Sequence, residues 1–367
     1  MDRSQWPQSA LAPDGPAATA ILDLWWVLLA LSTFVVLLVT GTLLYASLRR
    51  RDYEATDAPL PISPDLVEKL RGARESPEPT PGETVPLEAQ VGAAVGGRRD
   101  VRRETLAGDR RGMRWIVAGG VAFPVVTLVP LFVLTMQALA VVEARDEAPA
   151  LTIEAIGRQF WWEVHYLDDA GNRVFETANE IHIPVGRTVL VRLRAADVIH
   201  SFWVPRLAGK TDMIPGRVNR LRIRADAPGI YRGQCAEYCG LQHAKMAFLV
   251  IAQPEPEFRR WAQRQALPAA APADTLAAHG LRVFRRSGCG SCHAIRGTPA
   301  GTGDFGPDLT HLASRRTLAA VTMPNTPGHL GGWIGDPQAP KPGNLMPTVP
   351  LAREDFNALL HYLTGLR

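Results

Sequence analysis

Two unbroken apolar runs dominate the first 142 residues of this chain. Leu24–Ala46 and Trp115–Val142 contain no charged side chain, and each exceeds the ~20 residues needed to cross a ~30 Å hydrocarbon core. A buried helix of a soluble protein is normally shorter, so the runs predict transmembrane helices at 21–48 and 114–142. Pro124 and Pro130 should kink the second, which membrane helices tolerate. Arg49, Arg50 and Arg51 close the first run and Arg110, Arg111 and Arg114 open the second, whereas the outer flanks carry only Arg3 and Arg145. The positive-inside rule then makes 49–113 a cytoplasmic loop, with the tail 1–20 and everything after about residue 143 outside. The loop is rich in Pro, Gly, Glu and Arg and predicts a disordered connector, with a short helix over Asp65–Arg74. Residues 1–20 show no basic stretch leading into an apolar core, so no cleavable signal peptide is expected.

Beyond residue 148 the period changes to two. Leu151–Ile156, Glu180–Ile183, Thr188–Leu193, Arg217–Ile223 and Ala247–Ile251 predict strands, broken by Asp-Asp-Ala-Gly, Pro-Val-Gly and Ala-Pro-Gly turns. Short strands at this spacing indicate a β-sandwich or barrel over 148–262. An Ala/Pro stretch makes 263–273 a linker. The tail, 274–367, is helical at both ends. Asp274 can cap a helix to about Arg286, and Phe356, Leu359, Leu360 and Leu363 recur at i, i+3, i+4, i+7.

Composition changes this picture little. The 46% of hydrophobic residues is an average over a very uneven chain, and a net charge of +4 with no basic cluster interleaved with aromatics argues against nucleic acid as a partner. Lys69, Lys210, Lys245 and Lys341 are the only lysines, an arginine bias typical of a GC-rich bacterial genome. The four cysteines form two tight pairs, Cys235/Cys239 and Cys289/Cys292. Structural disulfides gain most from closing long loops, so metal or haem attachment is the better reading.

The first pair lies in Pro-Gly-Ile-Tyr-Arg-Gly-Gln-Cys-Ala-Glu-Tyr-Cys-Gly-Leu-Gln-His-Ala-Lys-Met (228–246), which also holds His243 and Met246. Soft sulfur with imidazole selects copper or zinc, and a weak Met favours a copper electron-transfer site. One thiolate suffices for a mononuclear blue site; a second, four residues on, suggests two metals sharing both sulfurs. His200, in His-Ser-Phe-Trp-Val-Pro, offers the further imidazole. Zinc could use the same Cys and His without needing Met246. His165, His182, His311 and His329 have no such context. The second pair reads Cys289-Gly-Ser-Cys292-His293, the Cys-x-x-Cys-His of covalent c-type haem attachment: two thiols add to the vinyls and the adjacent imidazole ligates iron. Met346 and Met323 are the candidates for the other axial ligand, which is usually Met in such domains. Met346-Pro347 has the better position, in a Pro/Gly-rich loop before the last helix.

With His200, then Cys-x-Glu-x-Cys-x-x-x-His-x-x-Met, and Gly-Lys-Thr-Asp-Met-Ile-Pro-Gly-Arg (209–217) between them, residues 20–260 resemble subunit II of a haem–copper respiratory oxidase. The tail resembles a class I cytochrome c, as in the caa-type enzymes where the two are fused. The resemblance implies a multidomain membrane protein: two transmembrane α-helices, a cupredoxin-like β-sandwich and an all-α class I cytochrome c domain. It implies that Cys235 and Cys239 bridge a binuclear CuA centre, with His200 and His243 terminal and Met246 and the Glu237 carbonyl weak ligands. The Glu237 carboxylate would reach a magnesium shared with subunit I. Gly306-Pro307-Asp308-Leu309 matches the segment whose Pro backs the proximal His.

The activity implied is electron input to a terminal oxidase. A covalent haem c passes electrons to CuA and on to subunit I, where oxygen is reduced and protons are pumped. No acid–base or nucleophilic catalytic set is present in this chain. The partners implied are subunit I and further oxidase subunits, a cytochrome c or respiratory complex as donor, and the bilayer of a bacterial inner membrane with both domains on the outer face. Three rivals stand beside this reading. A nitric oxide reductase subunit could share the copper site. A quinol oxidase subunit would lack the six copper ligands, and a copper-delivery protein would have no use for haem. Two departures from the family are the long cytoplasmic loop and the absence of a Glu at the start of the second span. A third concerns Gly157-Arg-Gln-Phe-Trp-Trp162, the region where electrons would enter. Phe160 stands beside Trp161 and Trp162 where oxidases that dock a separate cytochrome c usually have Trp. Drift between aromatics is the plain explanation. A sharper one is that a tethered haem, held at high effective concentration, needs no such anchor.

Overall fold

The computed structural model describes residues 8–48, 110–143, 148–299 and 301–367. The Asp65–Arg74 helix and nearly all of the expected cytoplasmic loop lie outside the described residues. Two units are distinguishable by contact: one within 29–133, the other formed by the start of the chain, to Leu28, with Leu134–Arg367.

Helix α1 spans Pro16–Leu48, about 50 Å at 1.5 Å per residue. Helix α2, Arg110–Val117, runs through a π-helical turn, Ala118–Ala122, into α3, Phe123–Glu143. In that turn the Phe123 amide donates to the Ala118 carbonyl, a wider ring than the α-helical one. It comes directly before Pro124, whose missing N–H interrupts the regular ladder. Thr127 Oγ1 donates to the Phe123 and Pro124 carbonyls at 2.9 and 3.1 Å, taking up acceptors in this stretch. The helix α1 and the stretch Ala118–Glu143 are each long and apolar enough to cross a membrane, and their most apolar stretches have no buried residue.

The large unit contains a ten-stranded sandwich. Strands β1 (Leu151–Arg158), β2 (Trp161–Leu167), β3 (Arg173–Ala178), β5 (Val189–Ala195) and β8 (Asn219–Ile223) form one sheet in the order β3-β2-β1-β5-β8. Strands β4 (Glu180–Pro184), β6 (His200–Trp203), β7 (Thr211–Met213), β9 (Gly229–Cys235) and β10 (Ala247–Gln253) form the other, β4-β10-β9-β6-β7. The pairs β1/β5 and β4/β10 are parallel and the rest antiparallel. Trp162, Phe202 and Phe248, all fully buried, meet between the sheets with centroids 4.5–5.8 Å apart. Gly233 on β9 is required by this packing, since a Cβ there would lie 2.2 Å from the Phe248 ring.

One side of β2 carries a charge cluster. His165 Nε2 lies 2.6 Å from Glu163 Oε1, with Glu154 and Glu176 each 3.6 Å from the ring. Burial alone would lower the His165 pKa, but hydrogen bonds to Glu163 and Glu176 outweigh it and raise the value from 6.5 to about 9. A folded-state pKa above the unfolded one gives stability that is complete below pH 6.5 and lost as pH rises through 9. The sandwich should therefore melt at progressively lower temperature across that window, and His165→Gln should flatten the dependence.

Helix α4, Glu255–Ala266, carries the chain from β10 across residues 262–263 towards the tail. There α5 (Thr275–Arg286) is capped by Asp274, whose carboxylate accepts from the Ala277 amide at 2.7 Å. It crosses α7 (Arg353–Thr364) at Gly280, where a Cβ would sit 2.1 Å from the Ala358 carbonyl. Helix α6, Pro327–Gly335, completes a core of Val283, Phe284, Leu330, Ile334, Leu359 and Leu363.

Candidate metal centre

Adjacent strand ends deliver the first two donors. Strand β6 begins at His200 and β9 ends at Cys235, and Phe202 pairs with Cys235 across the ladder. The loop from Cys235 to β10 then folds back, through Gly240 at φ +125° and a short 3-10 turn at His243–Lys245. Cys235 Sγ lies 3.8 Å from Cys239 Sγ and 3.8 Å from His200 Nδ1. Cys239 Sγ lies 3.7 Å from both His243 Nδ1 and Met246 Sδ. The Glu237 carbonyl is 3.1 Å from Cys235 Sγ, while Glu237 itself is exposed. All six residues expected from sequence thus converge, and the sulfurs are close enough to share metals at bonds of about 2.3 Å.

The electrostatics suit a cation. Two thiols this close cannot both ionise unaided: loss of the first proton is eased by the neighbouring sulfur, and the resulting thiolate pushes the Cys239 thiol up. A bound metal ion would relieve that conflict. His200 Nε2 lies 2.7 Å from Asp197 Oδ1. Since a carboxylate accepts, Nε2 carries the proton and Nδ1 presents its lone pair to the sulfurs. Gly157 leaves room for the ring, because a Cβ there would be 2.7 Å from His200 Cδ2.

The second site is a cavity of ≈ 290 Å³ in the tail, with Cys289, Cys292, His293 and Met346 in its wall. Gly288, at φ +78°, turns the chain after α5 into a 3-10 turn, Cys289–Ser291, that presents both thiols. His293 Nδ1 donates to the Pro307 carbonyl at 2.8 Å, leaving Nε2 free. Burial lowers the His293 pKa, so the ring is neutral at pH 7. Phe284, Leu330, Ile334 and Leu359 make the apolar wall. The pocket fits a flat apolar group fixed at its rim by two thiols. Met346 borders this cavity, whereas Met323 is packed into the domain's core.

Phe160, Trp161 and Trp162, the segment expected to take in electrons, divide between the core and the rim of a cavity. Alternation along β2 turns Trp161 outward and Trp162 inward, and Trp162 is a fully buried core residue against Phe202 and Phe248. Phe160 is only 7% exposed, and Gln159, Phe160 and Trp161 all border the cavity of the tail. Sequence reasoning missed Asp197, Gln159, Glu180 and Lys341. Only Asp197 left a signal, an acid three residues before a ligand-type histidine. Of the other histidines, His182 stacks on Trp261 at 3.9 Å, and His311 Nε2 donates to the Leu267 carbonyl.

The family described as cytochrome c oxidase subunit II, periplasmic domain, matches residues 164–253, and cytochrome c matches 277–367. Cytochrome c oxidase subunit 2 of Alkalihalophilus pseudofirmus is 38% identical over 250 residues, covering 66% of this chain and 71% of that protein. The same subunit of Bacillus subtilis is 31% identical over 265 residues, covering 66% and 73%. Among solved structures, the periplasmic domain of subunit II of cytochrome oxidase of Bradyrhizobium japonicum is 33% identical, covering 32% of this chain and 94% of that one, with a TM-score of 0.30. The chain belongs to the cytochrome c oxidase subunit II family, the oxidoreductase subunits with a periplasmic sandwich, and carries a cytochrome c domain fused behind it.

Proposed function

We propose that this chain brings electrons into a terminal oxidase through two centres of its own, a covalent haem c and a binuclear copper (CuA) pair. The observation that carries the reading is the convergence of two thiols, two imidazoles, a thioether and a carbonyl on one point. When bound, haem and copper supply the one-electron carriers; the chain's residues hold and orient them. Cys235 and Cys239 would bridge the coppers, with His200, His243, Met246 and the Glu237 carbonyl completing them. Cys289 and Cys292 would bind the haem covalently, between His293 and Met346. Asp197 and the Pro307 carbonyl each fix a ligand imidazole in one tautomer, as outer partners do at metal sites. Trp162, Phe202 and Phe248 keep water from beneath the copper loop. The Glu237 carboxylate is assigned to a magnesium at the boundary with subunit I, where oxygen would be reduced and protons pumped. The donor would be a cytochrome c or a respiratory complex, and the setting a bacterial inner membrane with both domains on the outer face.

The purified complex should contain two coppers and one alkali-stable haem c per copy of this chain, and should consume oxygen with reduced cytochrome c. One copper, zinc in its place, or faster consumption of nitric oxide than of oxygen would contradict the proposal. The axial assignment has a separate check. Met346→Ala should lower the haem potential and remove the sulfur-to-iron absorption, while Met323→Ala should leave both; the reverse pattern moves the ligand to Met323.

A further inference from the structure

Lys341 is a lysine buried to 2% exposure with no carboxylate partner among the described residues. Lysine is almost never fully buried unpaired, so its position calls for a reason. Its Nζ donates to the Phe160 carbonyl of the sandwich at 2.7 Å and to the Ala319 carbonyl of the cytochrome domain at 3.1 Å. It therefore ties the two domains through their backbones.

A second oddity lies at the same boundary. Ala319, Ala320 and Val321 have φ of +52°, +58° and +63°, three successive non-glycine residues in the left-handed region. Such a run persists only when its surroundings over-determine it, and here each residue meets something. The Ala319 carbonyl accepts from Lys341 and the Ala320 carbonyl accepts from the Ala247 amide. The Val321 side chain packs with Ala247, Leu249 and Ile251 of β10. Beside it the buried Glu180 carboxylate of β4 accepts from the Arg316 and Thr317 amides and from Thr317 Oγ1. On the copper loop, Gln242 Nε2 and Lys245 Nζ donate to the Pro342 and Pro340 carbonyls, on either side of Lys341.

The wall between the two sites is one residue thick. Gln159 Nε2 donates to the Cys239 carbonyl at 2.7 Å. A Cβ on Gly240 would lie 3.1 Å from that amide nitrogen and 3.2 Å from the Phe160 ring. Both residues also border the cavity of the cytochrome domain. We propose that Lys341 is a positioning residue for internal electron transfer: with the left-handed turn 319–321 it locks the cytochrome domain onto the sandwich, so that the haem cavity opens on the Gln159–Phe160 wall behind Cys239. The proposal rests on the haem and copper assignments made above. The step served moves one electron, the iron going from ferrous to ferric and the copper pair gaining one electron, with no bond made or broken. The fused haem is then a docked donor rather than one that diffuses on a tether.

The test uses the full-length chain in its oxidase complex, with Lys341→Met and, independently, Val321→Gln, which lies off the cavity. Haem-to-copper transfer after photoreduction of the haem should slow about tenfold, following the docked fraction. Hydrogen exchange at the Ala247 and Thr317 amides should rise in parallel. Haem and copper content should stay at wild-type values, and in Val321→Gln both potentials should as well. Wild-type transfer rates in both variants, or slowed transfer with unchanged exchange, would overturn the proposal. A wild-type chain without haem or without copper would sink the assignments instead, and the exchange result would then decide the docking alone.

Discussion

Replacing Cys239 with serine will empty the copper site and leave the sandwich folded. Cys239 Sγ is the hub of the cluster, within 3.8 Å of Cys235 Sγ and 3.7 Å of both His243 Nδ1 and Met246 Sδ. A serine hydroxyl is hard, stays protonated at neutral pH, and cannot replace a soft bridging thiolate. Loss of an outer partner alone weakens metal binding by about 10–100-fold, so loss of the bridge should exceed that. The strands themselves change little, because the ladder of β6, β9 and β10 does not involve this side chain. A buried hydroxyl with imperfect partners costs about 1–3 kcal/mol, which a sandwich of this size tolerates. Copper analysis should fall from two per chain towards none with the far-ultraviolet circular dichroism retained. A variant holding both coppers would refute the bridging role.

Gly306→Val should have the second-largest effect, at the other site. A Cβ on Gly306 would lie 2.5 Å from His293 Cε1 and 2.8 Å from Nδ1. That ring is held in place by the Pro307 carbonyl, so neither partner can yield without breaking the hydrogen bond. Overpacking of this kind costs about 1–3 kcal/mol, concentrated here on the orientation of the proposed iron ligand. The haem should still attach through Cys289 and Cys292, but with a high-spin spectrum and an altered potential. An unperturbed low-spin spectrum would show that the ring does not need this space.

What could be read from sequence divides along physical lines. The ligand residues were legible because soft donors at fixed spacing point to metal chemistry whatever the surrounding fold. Strands β1, β4, β5, β8 and β10 were legible from apolar and β-branched runs bounded by turn residues. Strand β9 was not, since Ala-Pro-Gly229 reads as a turn where the strand begins, and Gly233 is glycine only because the Phe248 ring occupies its side-chain space. Strand β2 was obscured by Glu163 and His165, polar residues that enter a strand here because they neutralise one another. The domain boundary was illegible for another reason. Lys341 meets Phe160, 181 positions away, and Glu180 meets Thr317, 137 positions away. No local pattern records such a pairing. The sequence implies a tail tethered by a linker, and nothing local in it marks the packing of Val321, in turn 319–321, against β10.

The order in which the two proposed centres fill with electrons is the most direct test of the electron route. Reduced cytochrome c, mixed in limiting amount with the intact complex blocked at oxygen, should reduce the haem of 274–367 first, followed at its absorption band. The copper band should then bleach only as that haem is reoxidised. Copper reduced ahead of the haem, or a haem that stays reduced while copper remains oxidised, would contradict the account.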